Sequence, residues 1–229
     1  MSHSHQDIIA PLSIDCVVFG FEEAKLTVLL IQRKVEPEIN KWALPGGFIL
    51  YQESIDEASR RILKEMTGVS NLYLEQLQAF GAVHRYPNRR VVTIAYYALI
   101  RPSDYPLVPG LDTSGVGWMP IKQLPKLPFD HTEILQAGWN TLQRKVRHQP
   151  IGFELLPEKF TLLNLQELYE SILDVKLDKP NFRRKLMRMN LLIPLEEYQR
   201  VEAHRPARLY RFDKDRYDLL VQQGLNFEV

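Results

Sequence analysis

Two glutamates and one arginine could form a charged site on one loop and the helix that follows it. Glu53 precedes the predicted helix, and Arg61 lies four residues before Glu65, so these two side chains share one side of the helix. Carboxylate oxygens are the hard ligands that Mg²⁺ prefers. The adjacent positions hold Ile62 and Met66, which supply no such oxygen. The segment therefore has some of the groups needed for metal-assisted phosphate chemistry and lacks the rest.

The same segment resembles the Nudix box, the signature of a family of pyrophosphohydrolases. The family pattern is a glycine, a glutamate six residues later and, after a seven-residue gap, Arg-Glu-apolar-any-Glu-Glu-any-Gly-apolar. The residues that fit it are Gly47, Glu53, Arg61, Leu63, Glu65, Gly68 and Val69. Gln52 replaces a glycine that commonly precedes the first glutamate, and Ile62 and Met66 replace two helical glutamates.

The resemblance implies a Nudix fold without Nudix catalysis. In that family several carboxylates hold Mg²⁺ between the substrate phosphates, and Glu65 alone remains of the three helical carboxylates. We therefore expect no enzyme activity, no metal and no cofactor, with Glu53, Arg61 and Glu65 as vestiges of a catalytic site. The alternative is a slow Mg²⁺-dependent pyrophosphohydrolase that uses a carboxylate from elsewhere in the chain. The candidates for that carboxylate are Asp112, Asp130 and Glu133.

Without reference to the family pattern, the same segment still predicts a helix. Ser54 followed by Glu57 is typical of a capping box, and Gly68 is typical of a helix end. Apolar side chains recur at helical spacing and predict one buried face. They are Ile55, Ala58, Ile62 and Met66. We therefore favour core packing for Ile62 and Met66 over contact with a ligand.

A second polar group lies near the carboxyl end of the chain. The segment 176–216 has 12 Lys and Arg against 6 Asp and Glu, although the whole chain has a formal charge of +1. It includes a predicted helix with Asp178 as its N-cap and Pro180 in its first turn. Phe182, Leu186 and Met189 would face the core, while an asparagine and several basic residues occupy the opposite side. A local positive excess is expected of a surface that contacts phosphates.

This helix and its neighbours predict a winged helix-turn-helix domain. An amphipathic helix over residues 161–173 precedes it, and strands over 191–194 and 208–212 follow it, joined by a polar connection that would reach the DNA as the wing. In such a domain the second helix enters the major groove, where Asn and Arg reach base edges. The predicted DNA contacts are Asn181, Arg183, Arg184, Lys185, Arg188, Arg205 and Arg208. Tyr210 and Phe212 are expected to pack in the small core instead.

The two halves together resemble the Nudix-related transcriptional regulators over nearly the whole chain. Three runs are similar to that family's C-terminal signature: residues 165–170, 181–185 and 205–212. The resemblance implies an α+β protein with a Nudix fold, a mixed sheet between helices, over residues 8–150 as sensor and dimer platform. A winged helix-turn-helix domain over residues 155–229 would bind a double-stranded DNA operator. We expect a homodimeric repressor.

One branch of that family controls NAD biosynthesis and responds to ADP-ribose, and another controls pentose catabolism, notably that of arabinose. Because the acids that would bind a diphosphate through Mg²⁺ are missing, we favour a pentose effector, with ADP-ribose as the alternative. A DNA-binding adaptor without any small-molecule effector is the third interpretation.

The effector is expected in the former active-site cleft. The candidate residues are Asp15, Arg33, Gly46, Gly47, Phe48, Arg61 and Glu65. Asp15, Arg33 and Glu65 would suit the hydroxyl groups of a sugar, whereas Arg33 and Arg61 would suit phosphates. For Arg61 we favour a structural role, in which it pairs with Glu53 and braces the loop.

The other elements of the first half follow the Nudix order. Residues 13–21 and 26–31 predict a hairpin, and residues 74–83 and 91–100 predict a second antiparallel pair. Residues 117–120 predict a turn-rich passage, and His131 to Arg147 predict a helix. Pro150 to Gly152 mark a candidate domain boundary.

Composition predicts a soluble, globular, cytoplasmic protein. With 45% hydrophobic residues, the 229-residue chain can bury two cores. No run approaches the roughly 18 to 20 apolar residues of a membrane span, and the first residues lack the pattern of a signal peptide. The single cysteine, Cys16, lies in an apolar run and is expected to be a buried strand residue.

Overall fold

The protein's structure is a computed structural model that describes residues 8–110, 112–201 and 204–222, without the side chains of 8–11, 200, 201, 204, 205 and 221. The chain divides into two compact units. The described residues up to Gly20 and Thr27–Asn140 form the first, and Phe21–Leu26 and the described residues from Thr141 onwards form the second. None of the described helices is long and apolar enough to cross a membrane.

A seven-stranded mixed sheet is the centre of the first unit. Its strands are β1 (Ile8–Glu22), β2 (Lys25–Arg33), β3 (Trp42–Ala43), β4 (Gly46–Leu50), β5 (Glu75–Phe80), β6 (Val92–Leu99) and β7 (Thr113–Pro120). The order is β3-β2-β1-β6-β5, with β4 paired to β1 and β7 paired to β2. Strand β1 is parallel to β6, whereas β1–β4, β2–β7 and β5–β6 are antiparallel.

Both predicted strand pairs of this unit are present. Strands β1 and β2 are neighbours, and the two residues between them, Glu23 and Ala24, have φ angles of 48° and 57°. Positive φ at both central residues is the requirement of the hairpin turn that matches the twist of the strands. The antiparallel pair β5–β6 corresponds to the second predicted pair.

The prediction of a turn-rich passage at residues 117–120 was wrong. These residues end strand β7, in which Gly117 and Trp118 pair with Leu30 and Leu29 of β2. Glycine and proline favour turns when the local sequence is considered alone. Here β2 provides hydrogen-bonding partners for the backbone, and tertiary context overrides local preference.

Two helices begin and end close to their predicted positions. The first lies in the first unit, and the second has its residues from Thr141 onwards in the second unit. Helix α1 spans Ile55–Thr67, with a capping box between Ser54 and Glu57 and with Gly68 at φ 78° after its last turn. Helix α2 spans His131–His148. The apolar stripe of α1 packs into a core with Cys16, whose burial, assisted by the neighbouring Asp15 carboxylate, raises the pKa of the thiol.

The second unit has the element order of a winged helix-turn-helix. A 3₁₀ helix at Pro150–Leu155 precedes β8 (Phe160–Thr161), α3 (Leu162–Leu173), α4 (Lys179–Met189), β9 (Leu192–Val201), β10 (His204–Phe212) and α5 (Lys214–Gln222). The three strands form a sheet in the order β8-β10-β9. The side chain of Asp178 accepts a hydrogen bond from the Asn181 N–H and caps α4 as predicted.

The hairpin of this unit is longer than predicted. The polar connection expected after residue 194 is instead mostly strand, because β9 continues to Val201 and β10 begins at His204. Its residues 196–199 are exposed, so the alternation of apolar and polar side chains that identifies a strand is missing there. Phe212 stacks on Phe153 with 4.2 Å between ring centres, which confirms its predicted place in the small core.

Candidate functional sites

A cleft of about 330 Å³ opens in the first unit beside the segment that resembles the Nudix box. All residues predicted to bind an effector line this cleft. They are Asp15, Arg33, Gly46, Gly47, Phe48, Arg61 and Glu65. The sheet order brings these residues of β1, β2, β4 and α1 together. Their role in ligand binding remains a prediction.

Sequence reasoning missed a second group that lines the same cleft. Arg85, Tyr86 and Arg89 lie between β5 and β6, and Phe129 and His131 lie just before and at the start of α2. The basic and aromatic residues between positions 85 and 90 were the available signal, but we interpreted that segment only as the connection of a hairpin. The cleft is therefore richer in guanidinium and aromatic groups than predicted.

Arg61 lies at the centre of a network that occupies the remaining acids of the box. It donates two hydrogen bonds to Glu53, at 2.6 and 2.7 Å, one to Glu65 at 2.9 Å and one to the Phe48 carbonyl at 3.0 Å. The hydrogen bond to Glu53 is the main cause that raises the pKa of Arg61. Glu53 also accepts a bond of 2.8 Å from the Leu50 N–H. The predicted pairing of Arg61 with Glu53 is confirmed.

The residues present do not fit the Mg²⁺ site of Nudix hydrolases. Ile62 is only 2% exposed, and a Cβ added to Gly47 would lie 3.3 Å from its side chain, so it fills the space beneath the loop. Met66 packs half-buried against the same core. No group of three or more His, Cys, Asp or Glu in the described parts of the chain could hold a metal ion.

The three carboxylates proposed as substitutes differ in their positions. Asp112 lines the cleft and is exposed. Asp130 receives two hydrogen bonds from Arg85, at 2.7 and 2.8 Å. Glu133 is exposed on α2 and is not among the residues that line the cleft. Only Asp112 therefore faces the cleft without an ion pair to a described residue.

A buried charged network lies at the floor of the cleft around Asp15. Its carboxylate is 3.0 Å from a terminal nitrogen of Arg85 and 3.4 Å from Nε2 of His131. Burial alone would raise the pKa of Asp15, but His131 and Arg85 together hold that pKa below its ordinary value. Asp15 is therefore a buried carboxylate with its partners already in place.

The backbone determines which nitrogen of His131 carries a proton. The Leu44 N–H donates a hydrogen bond of 3.0 Å to Nδ1 of His131, so Nδ1 must accept. The proton of the neutral ring then lies on Nε2, which faces Asp15. Gly46 leaves the room that the Asp15 carboxylate needs. A Cβ at position 46 would lie only 2.1 Å from that carboxylate, so a larger residue would collide with it.

Three aromatic rings and two arginines form an aromatic–guanidinium row, defined as Arg33, Phe48, Tyr86, Arg89 and Phe129. Tyr86 stacks on Phe129 at 5.0 Å between ring centres, and Phe48 meets Tyr86 edge to face at 6.4 Å. The guanidinium of Arg89 lies over Phe48 at 4.2 Å, and that of Arg33 lies over Phe129 at 5.3 Å. Phe129 has a φ of 55°, a strained backbone for a bulky residue.

The second candidate site is the exposed face of α4 in the second unit. Four of the predicted DNA contacts are exposed there: Asn181, Arg184, Lys185 and Arg188. Phe182 and Leu186 are buried on the other side, and Tyr169 of α3 packs against Phe182. The helix thus combines a buried apolar face with a solvent-exposed polar and basic face.

The other predicted DNA contacts have different surroundings. Arg183 is half-buried on the side of α4 away from Asn181. Arg208 donates hydrogen bonds to the Leu195 carbonyl at 2.8 Å and to Glu196 at 2.5 Å, so it braces the wing across its two strands. The side chain of Arg205 lies outside the described part of the structure.

Comparison with known proteins identifies both halves. Residues 10–137 match the NUDIX domain, and residues 152–212 match the NrtR DNA-binding winged helix domain. The chain is 34% identical to the ADPR responsive transcriptional repressor NtrR of Acinetobacter baylyi, over 98% of this chain and 91% of that protein. The chain belongs to the NrtR family. The resemblance to Nudix-related regulators and the predicted fold class are thereby confirmed.

Two solved structures of the Shewanella oneidensis NrtR extend the comparison. The protein complexed with a 27mer DNA has a TM-score of 0.74 and 33% identity, covering 90% of this chain and 95% of that one. Its NUDIX domain complexed with ADP ribose has a TM-score of 0.54 and 34% identity, covering 58% of this chain and 89% of that one. These NrtR comparisons give no support for an arabinose effector.

Proposed function

We propose that this protein is a transcriptional repressor that binds operator DNA through its winged helix and responds to ADP-ribose in its Nudix cleft. One observation carries the proposal. The cleft is open and lined by polar and aromatic side chains, but its two remaining box glutamates, Glu53 and Glu65, both accept hydrogen bonds from Arg61. The relatives support the choice of ligand, because one is named as responsive to ADP-ribose and another was solved with it.

ADP-ribose replaces a pentose as the preferred effector. The missing metal-binding acids favoured a pentose, but guanidinium groups can bind a diphosphate without a metal. Asp15, expected to accept hydrogen bonds from sugar hydroxyls, already binds Arg85 and His131. The surroundings of Asp15 therefore weaken the case for a neutral sugar, and the guanidinium groups of the cleft favour an anionic ligand.

The regulatory mechanism requires that ADP-ribose distinguishes two states of the protein. A ligand shifts an equilibrium only by its difference in affinity for the two states, and typical couplings are about 1 to 3 kcal/mol. We propose a homodimer in which the two α4 helices bind a palindromic operator, and in which ADP-ribose changes operator affinity. The family resemblance implies genes of NAD biosynthesis as the targets.

The first test is ligand binding by the purified protein. Melting temperature would be measured with ADP-ribose, AMP, arabinose or xylose, each in EDTA and in Mg²⁺, since a ligand in excess of its Kd stabilises the folded state. The proposal expects a shift with ADP-ribose in EDTA, in Mg²⁺ or in both, and none with either pentose. A shift with arabinose alone would overturn it.

The second test measures whether the ligand changes DNA binding. An operator would be selected from a random duplex library, and its affinity would be measured with and without ADP-ribose. A change in affinity supports the proposal, whereas an unchanged affinity favours the adaptor interpretation. Formation of AMP from ADP-ribose that requires Mg²⁺ and is abolished by Glu65→Gln would support the hydrolase instead.

A further inference from the structure

We propose that Arg33 and Arg89 bind the phosphates of the effector directly, in place of a metal ion, and leave the aromatic rings they cover in order to do so. The inference rests on the proposed function, because it names the groups that would recognise the diphosphate of ADP-ribose. It assigns a role to Arg89, which the sequence pattern did not single out. It also explains how a cleft without the metal-binding acids can hold an anion.

The first step is that two of the four arginines in the cleft are committed elsewhere. Arg61 binds Glu53 and Glu65, and Arg85 binds Asp15 and Asp130. Glu53, Asp15 and Asp130 have side chains no more than 11% exposed. Withdrawing either guanidinium would leave a buried carboxylate without its partner, which is strongly unfavourable. These two arginines therefore hold the cleft together and stay in place.

The second step is that Arg33 and Arg89 have no carboxylate partner among the described residues. The Arg89 guanidinium lies over Phe48 at 4.2 Å and near Tyr86 at 5.4 Å. Arg33 lies over Phe129 and donates through Nε to the Pro37 carbonyl at 2.9 Å. Arg89 is exposed and Arg33 is half-buried. A cation over a ring near the surface is held weakly, whereas hydrogen bonds between guanidinium and phosphate are charge-assisted and often bidentate. A phosphate can therefore draw both groups away from the rings.

The third step is that the same movement would free a surface for a planar base. Tyr86 and Phe129 are stacked with only 22° between their planes, and Arg33 and Arg89 lie over the rings of this row. When the guanidinium groups move to the phosphates, the ring faces become available for stacking, which aromatic pairs favour. One exchange thus creates a phosphate subsite and a base subsite side by side.

The chain offers a matched control for the test. Arg90 is exposed, lies next to Arg89 and does not line the cleft, because its guanidinium donates to the carbonyls of Ala82 and Val91. Arg89→Gln, Arg33→Gln and Arg90→Gln keep a polar side chain of similar length. Arg89→Gln is the decisive variant, since Arg33 also holds its own loop through Pro37. Melting temperatures without ligand verify that all three variants fold.

The experiment measures Kd by calorimetry for ADP-ribose and for adenosine in EDTA. Loss of one charge-assisted hydrogen bond raises Kd about tenfold. Arg89→Gln and Arg33→Gln should therefore each raise the Kd for ADP-ribose by at least that factor. Adenosine affinity should stay the same or rise, because it has no phosphate and the ring faces are less covered. Arg90→Gln should match the wild type with both ligands.

Three results would overturn the inference. The first is that Arg89→Gln leaves the Kd for ADP-ribose unchanged. The second is that it weakens the binding of adenosine and of ADP-ribose equally, which would indicate a general packing role. Wild-type binding of ADP-ribose that EDTA abolishes would mean that a metal ion holds the phosphates. In these cases the proposed function still stands, since ADP-ribose binds. If the wild type binds no ADP-ribose in either EDTA or Mg²⁺, both the proposed function and this inference fail.

Discussion

Arg61 holds Glu53 in a two-point hydrogen bond, 2.7 Å from Nε to one carboxylate oxygen and 2.6 Å from a terminal nitrogen to the other. These are two of the charged residues that the chain shares with the Nudix box. In this protein they bind each other, together with the Phe48 carbonyl and the Leu50 N–H, and so fasten the loop to helix α1. The motif has a structural use that does not depend on a metal ion.

Arg61→Gln should therefore destabilise the fold. The Glu53 side chain is 11% exposed, and removing its partner should cost about 1 to 3 kcal/mol in the free energy of unfolding. Arg61→Lys should recover only part of this, because an ammonium group cannot make the two-point contact. Urea unfolding at pH 7 measures the loss, and Arg60→Gln on the exposed side of α1 is the control. Equal stability of the Arg60 and Arg61 variants would contradict the bracing role.

A glutamate at position 62, where the Nudix pattern has one, should lower the free energy of unfolding. Ile62 is 2% exposed in an apolar core, and Ile62→Glu would bury a charge without a partner, at a cost of at least about 2 kcal/mol. Ile62→Gln separates the cost of charge from that of polarity. The difference in unfolding free energy between the two variants should shrink as the pH falls and the new glutamate takes up a proton. A constant difference down to acid pH would show that the charge is not the cause.

Gly46→Ala should be far more harmful than another glycine substitution in the same sheet. Its added methyl group would lie 2.1 Å from the Asp15 carboxylate, so β1 or β4 must shift, with an expected cost of about 1 to 3 kcal/mol. Gly117→Ala in strand β7 is the matched control, since a Cβ there would have no atom of the described residues beyond its chain neighbours within 4 Å. Melting curves of the two variants test this prediction, and an equal loss would count against a crowded Asp15.

The Asp15 network should make stability depend on acid pH. Its pKa in the folded protein is below the ordinary aspartate value of 3.8, so the folded state binds fewer protons than the unfolded state in that range. The contribution of Asp15 is fully present above pH 3.8 and is lost as the pH falls through the lower folded value. In chemical unfolding between pH 7 and pH 2.5, wild type should therefore lose its advantage over Asp15→Asn at the acid end. A pH-independent difference would be evidence against an ionised Asp15.

Substitutions on the exposed face of α4 should weaken DNA binding without loss of stability. Arg184→Ala and Arg188→Ala should each cost about 1 to 3 kcal/mol in binding free energy for every base of the selected operator that the arginine hydrogen-bonds. Arg60→Ala, an exposed arginine of the first unit, should leave the affinity unchanged. Arg183→Ala should mainly affect folding, since that side chain is half-buried. Full affinity in both α4 variants would mean that another surface meets the DNA.

Local sequence predicted the elements well where chemistry and periodicity coincide. The capping residues Ser54 and Asp178 identified the starts of α1 and α4, and Gly68 identified the end of α1. The prediction failed where a neighbouring strand decides the conformation, as at residues 117–120, and where both faces of a hairpin meet solvent, as at residues 196–199. At residues 117–120 the deciding pairing joins Trp118 to Leu29, which are far apart in the chain and share no local window. At residues 196–199 the partner strand is the other arm of the same hairpin, but the exposed side chains show no apolar alternation that would identify a strand.

The amino-acid sequence by itself determined the two-part organisation, the apolar stripe of α1 and the missing box acids at Ile62 and Met66. Only the tertiary structure decided the partners: Asp15 meets Arg85 across 70 residues of sequence, and Arg85 meets Asp130 across 45. Helix periodicity and capping depend on residues within one or two helical turns of each other. Ion pairs between distant residues form only after the sheet order has brought those residues together. The first preference for a pentose over ADP-ribose has that origin, because residue spacing alone does not show that Arg85 and Arg89 reach the cleft beside Arg33 and Arg61.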